Sequence, residues 1–212
     1  MLQGPVYFNA MRVPLPMKAI YKRLGFKKGV TELSPAEEDK LVATIDEASR
    51  IVHLKGAACM LDLVRVDRSG VELEDKTVFT SSALAGMLSG CGQVLLMGAT
   101  AGQTIMEEIS LATQSENLTR AVILDAVASE MTDSGLDWIM DYMNQDLMRK
   151  ARRITKARFS AGYGDFSLEN QKAIHALLHL DKIGVSITDT CILMPEKSVT
   201  AVAGIVAPRQ NM

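Results

Sequence analysis

The sequence is short of cysteine, of any excess of one charge and of long apolar runs, and each shortage removes a class of protein. Its three cysteines, Cys59, Cys91 and Cys191, are odd in number, far apart and in no CxxC pairing. That excludes a disulfide scaffold and points to buried, reduced thiols in a cytoplasmic protein. Lys and Arg number 23 against 25 Asp and Glu, a formal net charge of -2. Such a balance recommends neither nucleic acid nor an anionic membrane as partner. Nowhere do about 18 apolar residues run together, as a membrane span requires. The opening Met1 to Val6 lacks a basic segment followed by an apolar one, so neither export nor a membrane span is expected. What is present is a 48% hydrophobic fraction over 212 residues, ample for a core. No repeat, low-complexity tract or linker divides the chain, so one domain over 1–212 is expected.

Periodicity and punctuation give the elements. Val6 to Ala10 reads as a short strand and Met17 to Leu24 as a short helix stopped by Gly25. Ser34-Pro35-Ala36-Glu37 combines an N-cap serine, a proline at the first helical position and a glutamate three residues after the serine, which starts a helix running to about His53. Leu41, Ile45, Ala48 and Val52 form its apolar face. The segment from Ala57 to Thr80 alternates and turns like a hairpin or meander. A helix capped by Ser81-Ser82 follows, then a buried strand from Val94 to Thr100 and a helix opened by Gly102. Leu118 to about Arg149 is a long helix, with an interruption expected at Ser134-Gly135 because glycine costs about 1 kcal/mol there relative to alanine. The basic run from Arg149 to Lys156 reads as a solvated helix end leading to a strand. Ser167 is expected to cap a helix from Leu168 to Leu180, with strands at 183–188, 191–194 and 199–205. Strands and helices in mixed order predict an α+β fold with a mainly antiparallel sheet.

Several familiar motifs fail. Gly98 to Thr104 has Gln103 where a phosphate loop needs lysine, and Gly90-Cys91-Gly92 precedes a strand instead of following one. His175 and His179 lie one helical turn apart, but Ala176 stands where a metalloprotease carries its glutamate. His53-Leu54-Lys55-Gly56 has part of a corrinoid-binding signature, with Ile51 in place of its aspartate, so this chain is not expected to carry its own cobalamin.

The chemistry concentrates in Arg158-Phe159-Ser160-Ala161-Gly162-Tyr163-Gly164-Asp165. Gly162 and Gly164 permit positive φ or close approach to a ligand. Arg158 offers a planar fork suited to a carboxylate or phosphate, and Tyr163 a flat face and a hydroxyl. Glu130 rides on the apolar stripe of the long helix with Ile123, Ala126 and Val127, where an unpaired carboxylate is costly. Three outcomes are open: a helix rotated so that Glu130 reaches water, a structural ion pair such as one with Arg158, or a pocket in which both face a zwitterionic or cationic metabolite.

The run from Arg158 to Asp165, the following helix with Gln171, Ile183-Gly184-Val185 and Met194-Pro195-Glu196-Lys197-Ser198-Val199 together resemble the activation domain of cobalamin-dependent methionine synthase, and more closely the free-standing bacterial proteins related to it. Gly98 to Gly102 and Leu124-Asp125-Ala126 add to the likeness, which is best over 84–205 and loose over 1–55. The resemblance implies an α+β domain that binds S-adenosylmethionine and presents its methyl group to a corrinoid on a partner methyltransferase, with a flavodoxin or ferredoxin as electron donor. It also implies that Arg158 grips the ligand carboxylate, that Ala161 and Gly162 contact the ligand through backbone, and that Tyr163 lies near the sulfonium. Glu130 matches a family glutamate on the ligand's cationic side. The family has prolines around this turn where this chain has Phe159, Ala161 and Gly164. Two further expectations stand beside this one: a non-catalytic docking module for a corrinoid protein, and a pocket for another carboxylated metabolite.

Overall fold

The computed structural model describes residues 4–27 and 29–207. Its centre is a seven-stranded antiparallel sheet in which β4 (Val78–Thr80), β3 (Gly70–Leu73), β2 (Lys55–Val66), β5 (Gln93–Thr100), β9 (Ser198–Val206) and β6 (Arg153–Phe159) lie in that order, with β1 (Val6–Phe8) also pairing with β2. The fold is therefore α+β with a mainly antiparallel sheet. Two short strands, β7 (Ser186–Ile187) and β8 (Leu193–Met194), pair with each other apart from it.

Alternation along the central strands sorts the core into two layers. Leu95, Met97 and Ala99 of β5 and Ala201, Ala203 and Ile205 of β9 face one cluster, which they share with four helices. These are α1 (Met17–Arg23), α2 (Pro35–Ile51), α4 (Gln103–Gln114) and α5 (Leu118–Arg149). Val94, Leu96 and Val202 face the other, with α3 (Ser82–Met87), α6 (Asn170–Leu178) and the 3-10 turn Leu180–Ile183.

The α2 start forms the expected capping box, with Ser34 Oγ accepting from the Glu37 amide and Glu37 accepting from the Ser34 amide. Leu41, Ile45 and Ala48 are buried on its inner face. By contrast, α5 runs for 32 residues without the break expected at Gly135. A Cβ there would stand 3.2 Å from Met11 Cε and 3.4 Å from Ala99 Cβ. Close approach of α5 to the sheet is thus what the glycine allows, and burial of Ile123, Leu124, Val127, Leu136 and Ile139 outweighs its poor propensity. The N-terminal segment reaches the same helix: Phe8 sits edge-on to Trp138 at 5.2 Å and to Tyr142 at 5.1 Å.

The last third departs most from expectation. Ser167 does not cap a long helix; it bonds the Glu169 amide at 3.3 Å within a turn, and α6 begins only at Asn170. His179 takes left-handed φ and ends α6 before Leu180, while the strand expected over 191–194 shrinks to two residues after Cys191, itself at φ 67. Short apolar runs in these segments fill the second core layer without joining the main sheet, as Leu180, Ile183 and Val185 do.

None of the three cysteines is in a disulfide. Cys59 and Cys191 are buried and Cys91 half-buried. Burial pushes the Cys59 thiol up, helped by Glu74 and Asp75, and burial alone raises Cys91. No helix among the described residues is long and apolar enough to cross a membrane.

Candidate functional site

The site forms where edge strand β6 parts from β9. Ile154 pairs with Ile205, but Arg158 pairs with Ala203 and Phe159 with Val202, so two extra residues bulge out of β6 between them. The Thr155 hydroxyl fills the gap in the ladder by accepting from the Gly204 amide at 3.0 Å. Past Val202, β9 has no strand partner on this side: Ser198 to Ala201 pair only with β5. An edge with unpaired backbone groups is a ready place for a ligand.

Arg158 is thus the penultimate residue of a strand and not part of the turn after it. Its register opposite Ala203 places it on the α5 face of the sheet. There it donates to Asp133 at 2.7 Å and to Asp137. Burial works to lower the Arg158 pKa, but hydrogen bonds and charges from Asp137 and Asp133 outweigh it and the net shift is upward. Glu130 does not meet Arg158. It accepts instead from Arg23 Nε of α1 at 2.5 Å, with the Glu130 side chain 17% exposed.

The two ion-pair systems nonetheless share a helix face. Glu130, Asp133 and Asp137 are spaced i, i+3, i+7, which aligns them on one side of α5 over about 10 Å. Three carboxylates and two guanidiniums leave that row with one net negative charge. Asp133, Asp137 and Arg23 were not singled out in the sequence. The i, i+3, i+7 acidic spacing was the available signal for the first two; nothing local announced Arg23.

The turn itself belongs to the opposite layer. Ala161 is buried, and the Gly162 amide, at φ 92, donates to Phe166 O at 2.7 Å. Phe166 is fully buried, stacked on Phe159 at 6.0 Å and edge-on to Phe79 at 5.4 Å. Tyr163 is 69% exposed at the tip. Gly164 also has positive φ, so the chain doubles back tightly behind Tyr163.

Asp165 clamps this turn to the start of α3. It accepts from Ser81 Oγ at 2.5 Å, Ser82 Oγ at 2.6 Å, the Ser82 amide at 2.7 Å and the Ala83 amide at 3.3 Å. Those donors, the two hydroxyls foremost, hold its carboxyl far below the usual carboxylate range. A depressed folded-state pKa contributes stability above the unfolded value near 3.9, lost as pH falls toward the folded value. Thermal melts from pH 6 to pH 2 should therefore show the wild type losing more stability than an Asp165→Asn variant. Parallel curves would remove Asp165 as a source of acid sensitivity.

Other stretches noted in the sequence gather at the start of β9. Thr100 and Ser198 share a hydroxyl contact of 2.9 Å, and the Ala101 amide donates to Lys197 O at 2.8 Å. Lys197 Nζ pairs with Asp125 at 2.6 Å, and Thr200 donates to Gln171 at 2.7 Å. Thr132 of α5 bonds Ala128 O at 2.7 Å and lies 3.4 Å from Lys197 O, so this part of α5 runs beside the open edge of β9. His175 Nε2 lies 2.8 Å from Val185 O, and His179 is the left-handed residue that ends α6. No group of metal-ligating side chains occurs among the described residues.

The structure therefore brings Arg158 onto the acidic row of α5, with Glu130 in the row but paired with Arg23, while the Ala161–Tyr163 turn follows Arg158 in the chain and packs in the opposite layer. Such a place could take a ligand carrying both a carboxylate and positive charge. No protein-family model matches the chain, and no curated protein matches it in sequence. Among solved structures, a crystal structure of the MetH reactivation domain bound to AdoHcy is similar in fold, with a TM-score of 0.68 and 12% identity. The match covers 99% of this chain and 80% of that one, so it includes the N-terminal segment that brings Arg23.

Proposed function

We propose that this protein binds S-adenosylmethionine and supports reductive methylation of a corrinoid held by a separate methyltransferase. The observation that carries the reading is fold likeness over 99% of the chain to a domain that holds S-adenosylhomocysteine. Charge supports it. S-adenosylmethionine has a sulfonium and an ammonium against one carboxylate, so its single positive charge complements the one net negative charge of the Glu130, Asp133, Asp137, Arg23 and Arg158 row. Arg158 retains guanidinium N–H groups beyond the two used by Asp133 and Asp137, enough to take a ligand carboxylate as well. Tyr163 and the backbone of Ala161 and Gly162 would bound the ligand from the other layer.

When bound, S-adenosylmethionine supplies a sulfonium methyl that a reduced corrinoid on the partner takes up, leaving S-adenosylhomocysteine. Flavodoxin or ferredoxin would provide the electron. This chain's contribution is proximity and orientation, without an acid or base of its own.

Because the acidic row meets a cation, S-adenosylmethionine should bind at least about tenfold tighter than neutral S-adenosylhomocysteine, a difference of about 1.4 kcal/mol. The preference should shrink at high salt. Calorimetric titration of both ligands at two ionic strengths checks this. Absence of saturable binding by either, with the corrinoid partner present, would end the proposal.

One observation favours a second reading, a docking module for the corrinoid protein that no longer takes the nucleoside: Glu130 and Arg158 are both already satisfied within the chain. The readings separate on an Arg158→Ala variant that remains folded. An unchanged reactivation rate supports docking alone.

A further inference from the structure

A cavity of about 610 Å³ lies between α1, the loop after it and the start of α2, and neither Arg23 nor any residue of α5 is among its lining residues. It falls in the 300–1,000 Å³ range of small-molecule sites. Its apolar wall includes Tyr21 and Phe26, half-buried, with ring centroids 5.1 Å apart and planes tilted by 59°. Lys18, Lys22 and Lys27 stand on the same cavity, and no ion pair joins any of them to a described carboxylate. Lys18 and Lys22 are i, i+4 on α1 and both line the cavity, a like-charge spacing that costs the helix a little. Glu38 is the single carboxylate among the lining residues.

Many described cations are free of ion pairs, as Arg23, Arg65, Arg120, Arg158 and Lys197 are not; what sets these three lysines apart is that they line one cavity beside two aromatic rings and a single carboxylate. Three lysines lining an aromatic-walled cavity, none in an ion pair with a described carboxylate, suit a dianion attached to a flat ring. We propose that this cavity binds a nucleoside monophosphate, or a phosphorylated heterocycle of the same build. The ring lies against Tyr21 and Phe26, the phosphate sits among Lys18, Lys22 and Lys27 as point charges, and Glu38 accepts from a ligand hydroxyl or amino group. No covalent step is involved. The inference stands independently of S-adenosylmethionine binding.

The test uses the whole protein and three probes: AMP, adenosine and inorganic phosphate, titrated by calorimetry at low salt. AMP should bind saturably and at least tenfold tighter than either half. Charge reversal by a Lys18→Glu, Lys22→Glu pair, on exposed positions of α1 that leave the core untouched, should weaken AMP at least tenfold. Phe26→Ala should weaken AMP and leave phosphate unchanged. Three results overturn the proposal: no saturation by AMP at millimolar concentration, AMP affinity unaltered in the charge-reversed variant, or phosphate binding as tightly as AMP. A fourth is displacement of AMP by S-adenosylmethionine, which would move the nucleotide to the other site. Loss of S-adenosylmethionine binding with AMP binding intact would count against the proposed function only.

Discussion

Replacing Phe166 with alanine is expected to destabilise the protein by about 3–5 kcal/mol, the range for removing a fully buried aromatic ring. The ring has no exposed surface, and it joins three segments: Phe159 at the end of β6, Phe79 of β4 and the turn whose Gly162 amide bonds its own carbonyl. Neighbouring backbone can relax only partly, because Phe79 is equally buried in the same cluster. Urea unfolding should show a lower midpoint with an unchanged slope. Ligand affinity should also fall in the fraction that remains folded, since the turn loses the plug that fixes it. A loss of stability under about 1 kcal/mol would mean that the second core layer is looser than its burial indicates.

Arg158→Ala is expected to weaken S-adenosylmethionine binding by roughly 2–3 kcal/mol, the scale of a lost charge-assisted hydrogen bond, which is about thirty- to a hundred-and-fifty-fold. The change removes a guanidinium whose side chain is 22% exposed and which also separates Asp133 from Asp137. Those carboxylates, four apart on α5, then repel each other, so a modest loss of thermal stability should accompany the loss of affinity. Arg158→Lys should recover the charge but only part of the affinity, because an ammonium cannot serve two carboxylates and a ligand in one plane. Circular dichroism establishes the fold and calorimetry the affinity. Equal affinity in wild type and Arg158→Ala would place the ligand carboxylate elsewhere.

Local chemistry announced much of this architecture. The capping box at Ser34, the glycine stop after α1 and the buried strand from Val94 to Thr100 each depend on a few neighbouring residues, and each formed as read. Gly135 was misread because its role is long-range: the approach of Met11 and Ala99 to α5 cannot be inferred from helix propensity. Ser167 looked like an N-cap, yet packing of Phe166 and the left-handed turns around it decided where α6 could start. At the site, residue types were legible but pairings were not. A carboxylate on an apolar stripe signalled that Glu130 needs a partner; that the partner is Arg23, 107 positions earlier, is set by how α1 packs on α5. Asp165 read as the end of a glycine-rich turn, and its four donors from Ser81 to Ala83 arise only once that turn is laid against the start of α3.

That clamp makes two backbone amides into a clock for the turn. The Ser82 and Ala83 N–H groups lie in the first turn of α3, where a helix provides no acceptor of its own. Their hydrogen-bond partner is the Asp165 carboxylate across 82 or more residues of chain. Their hydrogen–deuterium exchange therefore measures how often the Arg158–Asp165 segment lifts from its seat, separately from global unfolding. A ligand that settles on the turn would slow those two amides while those within the central strands keep their rates, so occupancy could be followed without labelling the ligand or altering any residue that touches it.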